Sequence, residues 1–97
     1  MKGPDPIRLR LYSRPGCHLC DQMRQEVDEL LVDRPREWEV VNVDGDPELA
    51  RRYGETLPVL LVNGRFFARV RLPRLAQRLR LLRAADRKAE PLRTGLA

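Results

Sequence analysis

Cys17 and Cys20 are the only cysteines in a chain of 97 residues, and His18-Leu19 separates them. Such a pair can exchange thiols with a disulfide, ligate a metal or cluster, or serve as small buried side chains. Position in the chain bears on which. Ser13-Arg14-Pro15-Gly16 is a break, with Pro and Gly as punctuation, and a helix is expected from about His18. At a helix start, unpaired backbone N–H groups and the positive end of the dipole stabilise an anion. A thiolate placed there has a lowered pKa, and the thiolate is the nucleophile. Three residues along a helix brings the second sulfur back within bonding reach. Cys17, at the exposed end, is therefore expected to attack a disulfide, and Cys20, one turn inside, to resolve the mixed disulfide.

Other residues near this pair carry weaker signals. His18, the only histidine, reads as a local tuner of the thiol pKa rather than a general base, because no remote acid or base partner can be named for it. Asp21 opposes a second anion nearby. Arg14, three residues before Cys17, is a cation that could stabilise the thiolate or an acidic substrate. Thr56-Leu57-Pro58 opens a strand, where Pro cannot donate to the ladder. Either a cis peptide, cheap only before Pro, or a trans Pro at the strand's first residue accounts for it. The alternative chemistry is a metal or iron–sulfur carrier. A closed zinc site needs four ligands, and one chain offers Cys17, Cys20 and His18. Such a role would require carboxylates or a second copy using Cys17, and no resident metal is expected.

The elements that must hold these residues follow from periodicity. Ile7 to Tyr12 alternates apolar and polar, as a strand does. From His18 to about Arg34, Leu19, Met23, Val27, Leu30 and Leu31 fall at helical spacing as one buried stripe, and Pro35 ends it. Trp38, Val40, Val41 and Val43 mark a second strand. Asp44 to Pro47 is a turn into a short helix reaching Tyr53, closed by Gly54. Leu57 to Val62 is a third strand, Asn63-Gly64 a two-residue hairpin, and Arg65 to Arg71 a fourth strand. Leu72-Pro73 opens a last helix with Leu75, Leu79 and Leu82 on one face. The order is βαβαββα: an α/β fold whose four-stranded mixed sheet carries helices on both faces. Arg8 and Arg10 fit awkwardly in a first strand covered on both sides. The domain is expected over residues 1–84, with a basic, flexible tail over 85–97.

Composition narrows the class. The chain is 42% apolar and 34% charged, as a soluble globular domain is. Its apolar runs are too short to cross a bilayer, and Met1 to Ile7 lacks the apolar region of a secretory signal. Two cysteines are too few for the disulfide framework of a secreted mini-protein. A cytoplasmic monomer that does not engage membranes is expected. Residues 1–48 hold 7 basic and 11 acidic side chains, and residues 49–97 hold 12 and 3. Arg65 to Arg83 contains seven arginines and no acid. This segment could steer acidic partners or nucleic acid, but it reads first as a solvated face, and nucleic acid is not an expected partner.

Tyr12 to Cys20, read with Leu57 to Gly64, resembles the small bacterial glutaredoxin-like proteins that carry a Cys-His-Leu-Cys site, within the thioredoxin fold. The resemblance covers about residues 7–84. It implies a dithiol–disulfide oxidoreductase with a cis peptide before Pro58, facing the cysteines. It implies that Leu57 pairs its backbone with the substrate or glutathione, and that Arg14 flanks the glutathione site. Arg14, Thr56, Leu57 and Pro58 are thus the implied substrate-binding residues. The substrate would be a disulfide in a protein or small molecule, the reductant glutathione or a thioredoxin-type protein, with no cofactor tightly bound. Two departures stand out. Glutaredoxins usually follow the fourth strand with Gly-Gly and an acidic residue, whereas this chain has Val70-Arg71-Leu72-Pro73-Arg74. The usual Pro-Tyr between the cysteines is His18-Leu19.

Overall fold

A computed structural model describes residues 5–72 and 77–87 of the chain. Its elements are β1 (Ile7–Ser13), α1 (His18–Leu30), β2 (Arg36–Asn42), a 3-10 turn (Val43–Gly45), α2 (Pro47–Tyr53), β3 (Val59–Val62), β4 (Arg65–Arg69) and α3 (Gln77–Asp86). The strands form one sheet in the order β2-β1-β3-β4. β1 and β2 are parallel, as a crossover helix between them requires. β3 is antiparallel to both β1 and β4. This is the expected glutaredoxin-like α/β arrangement. Pro73, Arg74, Leu75 and the tail from residue 88 onward lie outside the described residues.

Two apolar clusters flank the sheet, because alternate residues of a strand point to opposite faces. Ile7, Leu9, Leu11, Leu60 and Val62 pack with Met23, Val27 and Leu31 from α1 and its end, and with Leu81 and Ala85 from α3. On the other face Tyr12, Val59 and Leu61 meet Val43 and Tyr53. The Tyr12 and Tyr53 rings stack there at 4.3 Å, fastening α2 to the sheet.

The awkward arginines of β1 now have a physical account. α2 has seven residues and is about 10 Å long, whereas β1 spans about 23 Å. α2 covers only the Tyr12 end of its face. Arg8 is exposed, and Arg10 pairs with Glu39 at 2.7 Å on the neighbouring strand. A central strand therefore keeps two arginines without burying an unpaired charge.

Three expectations need correction. α1 stops at Leu30, short of Arg34, because the Leu31 N–H caps back to Val27 and the chain turns. Leu19 is 40% exposed rather than part of the buried stripe. In α3 the buried pair is Leu81 and Ala85, and Leu79 is half exposed. The i, i+4 pair that faces the sheet is one step round from the leucines that looked like a stripe. The packed chain continues through Arg87, since Asn63 Nδ2 donates to the carbonyls of Ala85 at 2.9 Å and Arg87 at 3.2 Å.

Candidate active site

The sequence breaks the chain after β1 with Pro15-Gly16. Gly16 adopts φ +77°, a left-handed conformation that glycine takes without penalty. That turn delivers Cys17 to the N-cap of α1 in extended geometry, φ −87° and ψ 101°. Cys17 Sγ accepts from the Cys20 N–H at 3.2 Å, and its carbonyl accepts from the Asp21 N–H at 3.2 Å. The sulfur thus occupies the place that Ser, Thr or Asp oxygen takes in an ordinary cap.

Cys17 and Cys20 form a disulfide with Cα atoms 5.3 Å apart, inside the usual span for such a bond. Their surroundings differ. Cys20 is 1% exposed and belongs to the main core with Met23 and Val27. Cys17 is partly exposed and only packs against that core. One sulfur is reachable from solvent, and the other is reachable through it.

The Leu57-Pro58 peptide is cis. Pro58 is fully buried, and Leu57 packs against both clusters, sharing the main one with Cys17. The Pro58 carbonyl accepts from the Val70 N–H at 2.8 Å, tying this segment to the loop after β4. Thr56 closes the end of α2, donating from its N–H and its hydroxyl to the Tyr53 carbonyl at 2.9 and 3.3 Å. His18 is exposed and has no hydrogen bond or ion pair among the described residues.

Arg14 is held by groups that the sequence did not single out. Its guanidinium donates to Asp44 Oδ1 at 3.0 Å and to the Gly54 carbonyl at 3.2 Å. The cation before Cys17 therefore bridges to the 3-10 turn and the end of α2. Gly54 has an unstrained backbone, with φ −56°, yet a Cβ there would lie 2.4 Å from the Ala50 carbonyl oxygen and 3.2 Å from Arg14 Nη2. Glycine is required by close approach rather than by conformation. Gly54→Ala is expected to destabilise the fold by about 1–3 kcal/mol, the usual cost of overpacking. Thermal unfolding should then begin at least ~4 °C lower, and an unchanged melting temperature would refute the close approach.

Val70 takes φ +66°, a conformation uncommon for a β-branched residue. No feature of the sequence marks it, because such a residue argues against a left-handed bend. With Arg71 and Leu72 it forms one wall of a groove whose other wall is Leu19, Gln22, Met23 and Glu26 of α1. Leu19 and Val70 expose 40% and 38% of their surface. The groove thus begins inside the Cys17–Cys20 segment and continues along α1. Among the described residues, no three His, Cys, Asp or Glu side chains gather as a metal site would need, and no helix is long and apolar enough to cross a membrane.

Comparison with known proteins fits this geometry. The model of the glutaredoxin-like domain family (DUF836) matches residues 8–80. Uncharacterized proteins of Mycobacterium tuberculosis and Mycobacterium bovis are 30% identical over 63 residues, 60% of this chain. The matched stretch spans 65% of the length of those relatives. A protein of Nitrosomonas europaea solved by solution NMR is 32% identical, with a TM-score of 0.61, covering 72% of this chain and 85% of that one. A malarial protein shares the fold at 19% identity and a TM-score of 0.52, covering 84% of this chain and 99% of the other.

Proposed function

Because the chain belongs to the glutaredoxin-like domain (DUF836) family, we propose that it is a dithiol–disulfide oxidoreductase in which Cys17 attacks and Cys20 resolves. One observation carries this reading. Cys17 Sγ caps the start of α1 at a partly exposed position, while Cys20 lies buried one turn inside and within bonding distance. In the reduced protein the Cys17 thiolate attacks one sulfur of a substrate disulfide. A Cys17–substrate bond forms, the substrate's S–S bond breaks, and the departing thiolate takes up a proton. Cys20, deprotonated, then attacks Cys17 Sγ. The Cys17–Cys20 disulfide forms and the second substrate thiolate leaves. Two electrons pass to the substrate, and an external dithiol or two monothiols must restore the reduced pair.

The groove beside the cysteines supports a polypeptide as the substrate. Leu19 and Val70 present apolar surface next to Cys17, and Glu26, Gln22 and Arg71 supply polar groups along it. An extended segment carrying an apolar residue near its cysteine fits such a groove, and Leu57 offers backbone to pair with it. Arg14 acts from a distance, holding α2 and the 3-10 turn against the loop that carries Cys17.

Thiol titration of the purified protein tests the proposal. Two free thiols per chain after reduction, none after oxidation, and an oxidised digest containing a Cys17–Cys20 peptide are expected. A coloured protein with metal bound in proportion to Cys17, or only intermolecular links after oxidation, would instead favour a carrier.

A further inference from the structure

The arginines of the second half of the chain do not spread evenly over the surface. Arg65 of β4 and Arg80, Arg83 and Arg87 of α3 and its end line one cleft, together with Phe66 and Phe67. Arg80, Arg83 and Arg87 recur at i, i+3 and i+7, which places them along one helix face. All three are exposed, and among the described residues none of them has an ion pair. The arginines and acid on the α1 side of α3 are by contrast neutralised. Asp86, the acid of α3, is bound by Arg34 at 3.1 Å, and Arg78 reaches Asp33 and the Leu30 carbonyl. No carboxylate lines the cleft.

Its geometry is fixed by a buried side chain. Asn63, 7% exposed, exchanges hydrogen bonds with the Arg8 backbone at 2.8 and 2.9 Å. It also donates to the carbonyls of Ala85 and Arg87. The end of α3 is thereby pinned over the β3–β4 hairpin. Phe66 stands beside the arginines with 52% of its surface exposed. Val62 pairs with Leu9 near the start of β1, whereas Cys17 follows the other end of that strand. The cleft and the disulfide are therefore about 20 Å apart along the sheet.

We propose that this cleft binds single-stranded nucleic acid, with Arg80, Arg83 and Arg87 on successive phosphates and Phe66 stacking a base. Fixed, uncompensated guanidinium groups beside an exposed aromatic ring are the combination that holds a single strand without reading its sequence. A basic stripe along one helix in a chain of isoelectric point about 10.0 gives the required field. An acidic polypeptide would use the arginines but leave Phe66 without a role.

The test is fluorescence anisotropy of a labelled, mixed-sequence 15-nucleotide single-stranded DNA with the full-length oxidised protein. Three or four phosphate contacts should weaken binding about 20- to 50-fold between 50 and 200 mM salt. Arg80→Gln/Arg83→Gln should weaken it at least ~5-fold at 50 mM salt, and Phe66→Ala about 5-fold or more. Arg51→Gln/Arg52→Gln removes equal charge from the exposed face of α2 and should leave affinity within about twofold. Redox turnover of all these variants should match the parent, which separates this site from the one built on Cys17. No binding at 50 mM salt, equal loss in the two double variants, an unaffected Phe66→Ala, or equally tight binding of polyglutamate would each overturn the proposal.

Discussion

Cys17→Ser is expected to lose disulfide exchange down to the uncatalysed background, whereas Cys20→Ser is expected to stall with its substrate attached. The asymmetry follows from exposure. Only Cys17 is partly open to solvent, and Cys20 is 1% exposed. Without Cys17 Sγ the remaining thiol lies in the main core and cannot align with a substrate disulfide. Without Cys20 Sγ the first exchange still proceeds, but no neighbouring thiol displaces the substrate from Cys17. Cys20→Ser protein mixed with a disulfide-bearing polypeptide should therefore yield a mixed disulfide that survives denaturation and is released by reductant. In the reduced parent, a bulky alkylating reagent should label Cys17 first. Adducts that accumulate on Cys20 in the Cys17→Ser variant, or first labelling at Cys20, would reverse the assigned roles.

These roles were readable in the sequence because they depend on local geometry alone. Pro15-Gly16 before a helix start, and a three-residue spacing after it, place one sulfur at the cap and one inside. Strand order was readable for a similar reason, since Asn63-Gly64 and the crossover helix fix which neighbours run parallel and which antiparallel. The errors lie where a helix chooses its face by what it packs against. Leu79 and Leu82 have the spacing of a stripe, yet α3 turns Leu81 and Ala85 to the sheet, because the position of the hairpin below it sets the contact. Leu19 has the same spacing as Met23 but sits at the exposed first turn of α1.

What holds Arg14 was not readable at all. Asp44 and Gly54 are 30 and 40 residues away, and their approach depends on α2 docking through the Tyr12–Tyr53 stack. Val70 was hidden for a different reason. Intrinsic preference argues against a left-handed valine, and the bond from its N–H to the Pro58 carbonyl overrides that preference. The arginines of 65–83 were visible as a composition, but their sorting was not. Asp86 and Arg78 turn toward α1, and the remaining charges gather over Phe66.

Glutathione-dependent reduction of a low-molecular-weight mixed disulfide is expected to run about one to two orders of magnitude below that of an ordinary dithiol glutaredoxin. Leu57-Pro58 and the Cys17 sulfur could hold the cysteinyl part of the tripeptide. The γ-glutamyl end carries an ammonium and a carboxylate, and needs an acid for the first and free backbone N–H groups for the second. After β4 this chain presents Val70 and Arg71, and the Val70 N–H is already given to the Pro58 carbonyl. Pro73 has no N–H to offer. An ammonium beside Arg71 lacks a partner on that wall, and a missing charge-assisted hydrogen bond costs roughly 1.5–3 kcal/mol. The acid available in the groove is Glu26, which lies on the α1 wall rather than in the loop. A polypeptide with an apolar residue against Leu19 and Val70 does not need that bond, so its reduction should be the faster reaction. Turnover with glutathione that equals a glutaredoxin assayed alongside would defeat this argument. Its loss in Glu26→Gln would then identify Glu26 as the group that receives the ammonium.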